Sequence, residues 1–248
     1  MSAPPKKPTP PPAAATHDPL PAAIDKLCEQ DAGDGISSDF ADLDRPIIRV
    51  LQTNSPQCDA RGAEYIEGAE AGLFWLSGSL TPIRETLTVV PIVQLHSFME
   101  WLAGRQGYAN RHADLPPDAA PDPSNPRRWV RPDGNIVEDT KEIYVLLDKG
   151  LWLLPCASTR HQFARRLMSY AQQRRHPRTD KPYPFYARRY ELRTTAASNA
   201  KGHWYNVAFN DLGWTPEADY LQARALSADL KRGLLSPPPG GTPRLSAA

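Results

Sequence analysis

Proline sets the limits on what this chain can fold into. Its 27 prolines are about twice ordinary usage for 248 residues. A proline fixes φ and offers no backbone N–H, so helix interiors and central strands exclude it. The prolines crowd at 4–21, 116–132 and 237–243. Regular structure is therefore expected between these clusters. The organisation that follows is a disordered Pro/Ala-rich tail over 1–40, one folded domain over 41–235, and a disordered tail over 236–248. The middle cluster marks 104–140 as a long polar insertion loop. Loops of that length are either functional or disordered. Arg105, Arg111, Arg127, Arg128, Trp129 and Arg131 lie in it, so it reads as a charged disordered insertion or as a second nucleic-acid contact.

Within the domain, short apolar runs rich in β-branched residues predict strands at 46–52, 63–68, 73–77 and 86–94. Pro91 inside the last of these calls for an edge position or a bulge. Ser97 to Leu102 reads as one or two helical turns. The runs 142–147 and 151–155 flank Asp148-Lys149-Gly150 and predict a hairpin with glycine supplying the turn. Ser158 or Thr159 caps a helix that ends before Pro177. At 100° per residue Phe163, Ala164, Leu167, Met168 and Ala171 share one face, and Gln162, Arg165, Arg166, Ser169, Gln172 and Gln173 share the other. Two strands follow at 185–194 and 203–209, joined by turn formers over 198–202. Thr215-Pro216-Glu217 starts a final helix that Gly233 ends. Ile24, Leu27 and Cys28 have the spacing of one more helical turn. Many short strands with a helix before the last pair predict a mainly β fold. A small closed or half-open β-barrel with two or three packing helices fits, as does an α+β sheet under two helices.

Charge is distributed unevenly along this frame. The formal net charge is +1, yet residues 158–205 carry +9 and residues 1–157 carry −8. Between the cations of 158–205 stand Phe163, Tyr170, Tyr183, Phe185, Tyr186, Tyr190, Trp204 and Tyr205. Cations that meet phosphates, mixed with flat rings that stack on bases, suit a single-strand binding surface. The competing reading is a solvated helix face followed by strands whose aromatics are core.

The chain offers little for catalysis. G-x-S-x-G, a Walker glycine loop and H-E-x-x-H are all missing. The six histidines have no ligand spacing, and the three cysteines, Cys28, Cys58 and Cys156, form no C-x-x-C. Asp42, Asp44 and Asp59 read as a solvated acidic patch rather than a nuclease cluster. No metal, cofactor or enzymatic activity is expected. No apolar run approaches ~18 residues, so no membrane partner is expected and a cytoplasmic location fits.

Several segments taken in order resemble a known group. They are Arg45-Pro46-Ile47-Ile48-Arg49-Val50-Leu51-Gln52 with Ser55-Pro56, Glu64-Tyr65-Ile66-Glu67-Gly68-Ala69-Glu70-Ala71-Gly72, and the strand ending at Val90-Pro91. The helix over 158–170, the strand over 190–195 and Asn199-Ala200-Lys201-Gly202-His203-Trp204-Tyr205 complete the set. Across about 42–233 the chain resembles phage- and prophage-encoded single-stranded-DNA-binding-like proteins built on an oligonucleotide-binding (OB) barrel. That resemblance implies a groove on one sheet face lined by aromatics and cations, with Arg188, Tyr190, Lys201 and Trp204 filling those roles. The chain departs from the pattern in lacking an acidic C-terminal tail and in the length of the 104–140 insertion.

The expectation is thus non-catalytic binding of single-stranded DNA in phage or prophage replication or recombination, in the cytoplasm of the bacterial host. Phosphates would meet Arg165, Arg166, Arg188, Arg189, Arg193 and Lys201, and bases would stack on Trp204 and on one or more of Tyr186, Tyr190 and Tyr205. Phage replication or recombination proteins are the implied partners. The alternative is a phage structural or protein-interaction protein that binds no nucleic acid.

Overall fold

The computed structural model describes residues 46–105, 108–200 and 202–232. Both Pro-rich termini, the turn expected at Ile24–Cys28 and Lys201 lie outside the described residues. The fold is mainly β, a curled half-barrel sheet with two helices packed on it. In chain order the strands are β1 (Ile48–Val50), β2 (Phe74–Leu76), β3 (Ile83–Arg84), β4 (Thr86–Trp101), β5 (Tyr108–His112), β6 (Ala120–Pro121), β7 (Arg128–Val130), β8 (Ile136–Leu147) and β9 (Gly150–Ala157). Helix α1 (His161–Gln173) follows, then β10 (Arg188–Asn199), β11 (Gly202–Trp214) and helix α2 (Glu217–Lys231).

The long antiparallel pair β4–β8 is the spine. Its proximal half carries β9 on the β8 side and β10, then β11, on the β4 side. The local order is therefore β11-β10-β4-β8-β9, with α1 linking β9 to β10. β9 and β11 do not pair with each other. β1 fills the space between them: the Leu153 N–H donates to the Pro46 carbonyl at 2.9 Å. On the other side the Gln52 amide imitates a strand residue. It accepts from the Tyr205 N–H at 2.9 Å and donates to the Tyr205 carbonyl at 3.1 Å.

Two apolar layers sandwich this sheet. Ile143, Val145 and Leu147 of β8 point to one side, where Leu154, Phe74, Phe163 and Leu167 meet them. Tyr144 and Leu146 point to the other, where Ala223 and Leu230 of α2 cover them. This alternation is the period-2 pleat of a strand buried on both faces.

The differences from expectation have local causes. Pro91 does sit at a bulge, with the register shifting between Pro91 and Val93. That lets a proline occupy a strand with neighbours on both sides. The turn at 148–150 draws its left-handed residues from Asp148 (φ 48°) and Lys149 (φ 64°), not from glycine. A Cβ at Gly150 would stand 3.1 Å from the Trp152 indole nitrogen, so close packing explains that glycine. Residues 63–68 form turns rather than a strand. Residues 97–101 continue β4 rather than forming helix.

The stretch 104–140 is not a bare loop. It carries β5, β6, β7 and the start of β8, and with the distal half of β4 it extends the spine into an arm. Three of its arginines are held in ion pairs. Arg111 meets Glu142 at 2.7 and 2.9 Å, Arg128 meets Glu138 at 3.1 Å, and Arg131 meets Glu100 at 3.0 Å.

Candidate nucleic-acid interface

The cationic stretch splits into two groups. Arg174, Arg175, Arg188 and Arg193 are paired with Asp211, Asp180, Asp211 and Glu191 respectively. Arg160, Arg165, Arg166, Arg178, Lys181 and Arg189 have no carboxylate partner among the described residues. The second group is the one able to meet an outside anion without breaking an ion pair.

Two of these unpaired cations share a groove. Helix α1 is amphipathic, so it turns Phe163 and Leu167 into the core and leaves Arg165 and Arg166 exposed. It lies beside β11, where the Phe163 and Phe209 rings meet at 6.1 Å and Tyr170 and Phe209 at 5.6 Å. Along this junction run two adjoining hollows of about 560 and 290 Å³ that share Gln162, Arg166 and Phe209. Arg165, Ser169, Tyr170 and Gln173 line the first, and Thr159, Thr195 and Asn206 help line the second. The lining holds no acidic side chain. The Asn206 side-chain carbonyl oxygen is shielded from solvent and accepts no hydrogen bond. It is an unsatisfied buried acceptor.

At the C-terminal end of α1 the groove runs into a cluster centred on Asp211. Tyr170 donates its hydroxyl to Asp211 Oδ2 at 2.8 Å, and the Gly213 N–H donates to Oδ1 at 2.8 Å. Arg188 grips both oxygens, Nη2 to Oδ1 at 2.7 Å and Nε to Oδ2 at 2.8 Å. Burial alone would push the Asp211 carboxyl up. The bonds from Arg188, Gly213 and Tyr170 more than offset it and hold the group below the usual carboxylate range. The Arg188 guanidinium lies over the Trp214 indole, 4.8 Å from its centre, and Tyr183 meets that ring edge-on at 5.0 Å.

The residues singled out from the sequence thus scatter. Arg165 and Arg166 line the groove together. Arg188 stands near its end, committed to Asp211. Tyr190 is 1% exposed and packs against Tyr170 and Phe209. Burial pushes its phenol up to about 12. It is a core residue and cannot stack on a base, which corrects the role expected for it. Arg193 is half-exposed beside Glu191 at 2.8 Å. Trp204 sits half-buried on the β11 face opposite Tyr205, Val207 and Phe209; its indole N–H is shielded and unpartnered, and it is not part of the groove lining. Lys201 lies outside the described residues. Sequence reasoning missed Asp211 and Trp214 because it ended the last strand at 209. The signal was present: Gly213-Trp214-Thr215-Pro216 places a large ring against a helix start.

Among the described residues no group of three His, Cys, Asp or Glu side chains is placed to hold a metal ion. No helix among them is long and apolar enough to cross a membrane.

Fold and groove together define a mainly β half-barrel protein with an acid-free, arginine-lined channel beside its first helix. Comparison with known families then places it among phage proteins. A family model described as Pam3 phage gp34-like protein matches residues 14–235, and the chain belongs to that family. No curated protein and no solved structure matches it.

Proposed function

We propose that this phage protein binds single-stranded DNA stoichiometrically, without catalysing a reaction on it, in replication or recombination inside the host cytoplasm. The observation that carries this reading is the α1–β11 groove. Arg165 and Arg166 line it, no carboxylate opposes them, and Tyr170 and Phe209 supply ring surface. A phosphate entering there releases counterions and displaces no internal partner.

The connectivity supports an OB reading as well. Strands β4, β8 and β9, then α1, then β10 and β11, with β10 beside β4, follow the order of a partly open five-stranded Greek-key barrel. In that architecture the outer face of the second and third strands usually receives the strand. Here α2 covers that face through Ala223 and Leu230, so the proposed path runs instead along α1.

Titration of the protein's tryptophan fluorescence with oligo-dT tests the reading. Binding should weaken with salt, with a log–log slope of about −0.7 per phosphate neutralised. Arg165→Ala and Arg166→Ala should each flatten that slope by about 0.7. A folded protein that gives no response at low salt favours the structural or protein-interaction alternative. Cleavage of a labelled strand in Mg²⁺ or Mn²⁺ would overturn the non-catalytic assignment.

A further inference from the structure

We infer that Trp214 is the base-stacking element of this protein, presenting the open side of its indole to one unpaired nucleobase. The inference rests on the single-strand reading above and adds to it the place where a base, not a phosphate, is held.

Exposure is the first observation. Trp214 is 57% exposed, more than half open to solvent, although it stands at the root of a helix where shelter is close by. The second is rigidity. The Arg188 guanidinium lies over the indole, and the Tyr183 ring stands beside it at 78°, centroids 5.0 Å apart. Arg188 is itself fixed by Asp211, which also accepts the Gly213 N–H. Gly213 has φ +97°, a conformation that side-chain-bearing residues rarely adopt, and it lies where the β10–β11 register shifts, so that Trp214 ends the strand opposite Arg188. On the far side the Thr215 N–H donates to the Ala187 carbonyl at 3.0 Å. A ring held by two neighbours, on a backbone tied down at Gly213 and Thr215, loses little freedom when a ligand settles on it.

The surroundings supply the third observation. Residues 174–183 form a tight hairpin, closed by the Tyr183 N–H on the Arg174 carbonyl at 3.0 Å and the His176 N–H on the Lys181 carbonyl at 2.9 Å. Tyr183 ties that hairpin to Trp214, and the hairpin carries Arg178 and Lys181, which have no carboxylate partner among the described residues. The fourth is continuity. Tyr170 lines the arginine groove and also bonds Asp211, so groove and indole share one cluster. A strand tracking α1 by its phosphates arrives at an open aromatic face with cations beside it. Every base has a π-face, so the contact is indifferent to sequence.

The test uses the full chain and a short oligo-dT strand. Trp214→Ala and Trp214→Leu should each weaken binding about 5- to 150-fold at fixed salt while leaving the salt slope unchanged. Trp214→Phe should retain most of the affinity and lose the largest part of the fluorescence quenching. An abasic strand of the same length should bind wild type and Trp214→Ala alike. The leucine variant keeps apolar cover over Arg188, so a loss confined to alanine reports packing and overturns the inference. Wild-type affinity and quenching in all three variants overturns it too, while leaving the groove reading intact. If wild type binds no strand at all, the function proposed above fails with it.

Discussion

The body and the arm of this protein are built on the same two strands by opposite means. Along one face of β8, Glu138 and Glu142 give way to Tyr144 and Leu146. The apolar pair lies under α2 with Val90, Ile92 and Leu153. The carboxylates are sealed as tightly, Glu142 at 1% and Glu138 at 5% exposure, but arginines from β5 and β7 cover them. On the opposite face of the arm Glu100 collects His112 at 2.6 Å, Asn135 at 2.8 Å and Arg131 at 3.0 Å. Few apolar side chains are fully buried in the arm; Val137 is one, and Phe98 with Trp129, edge to face at 5.6 Å, adds partly covered surface. Apolar burial is tolerant of direction, whereas a buried ion pair works only in one register. The comparison teaches that the body's order comes from bulk and the arm's from matching.

The hardest blow to that contrast is Arg111→Leu. Among the described residues it leaves Glu142 with the Ser97 hydroxyl, at 2.6 Å. An uncompensated buried charge costs about 3–5 kcal/mol. Replacing both Arg111 and Glu142 by leucine should recover most of that loss, because paired ions gain little over apolar packing. Denaturant melts of the single and double variants check both statements. A double variant as unstable as the single one would mean that shape, not charge, holds the arm.

Leu154→Ala is the counterpart in the body. The side chain is wholly buried among Phe74, Ile143 and Phe163, and such truncations cost about 2–5 kcal/mol. The two losses should differ in extent. Hydrogen exchange should show faster exchange throughout the β4–β8–β9–β10 sheet for Leu154→Ala, and only in β5, β7 and the distal ends of β4 and β8 for Arg111→Leu. Identical patterns would merge body and arm into one cooperative unit.

This division also explains what the sequence made legible. Periodicity identifies elements that bury apolar residues, and so β1, β4, β8, β9, α1 and α2 were readable from Ile48, Val89, Ile143, Leu154, Phe163 and Leu230. The arm buries Glu100, Glu138 and Glu142 beneath half-buried Arg111, Arg128 and Arg131, residue types that mark solvated loops everywhere else, and its prolines reinforced that reading. Nothing local says that Arg131 will find Glu100 and Asp118, at 3.0 and 2.8 Å, across a fold. The site divided in the same way. Helical spacing turned Arg165 and Arg166 outward correctly. Tyr190 and Arg188 belong to a strand whose partners, Phe209 and Asp211, are set by register, and register is tertiary information.

Acid should separate the two regions more gently. Burial raises the Glu100 carboxyl, but bonds from Asn135, His112 and Arg131 hold it below its ordinary range; the Arg131 bond lowers Asp118, and Ser124 lowers Asp122. Carboxyls depressed in the folded state stabilise it fully above their unfolded pKa of about 4, and that contribution disappears as pH falls through the folded values. The arm holds three such groups, while Asp211 is the body's own among the described residues. Exchange followed from pH 6 downward should therefore show the arm losing protection first. Simultaneous loss in body and arm would deny that carboxylates are what sets the arm apart.

The smallest effect belongs to a cation that neither region needs. Arg193 pairs with Glu191 two residues along the same strand, and its side chain is 49% exposed. Exposed pairs of this kind contribute about 0–1 kcal/mol, and an in-strand neighbour already held by the ladder lies at the low end. Arg193→Ala should thus shift the melting midpoint by no more than a degree or two, against several degrees for either core variant. Its meaning lies in the DNA titration. Arg193 must leave Glu191 before it can meet a phosphate, whereas Arg165 and Arg166 have nothing to leave. Arg193→Ala should accordingly leave the salt slope nearly unchanged where Arg165→Ala flattens it. Equal flattening by both would move the phosphate path off α1 and onto the outer face of β10, and the acid-free groove would lose its claim to be the site.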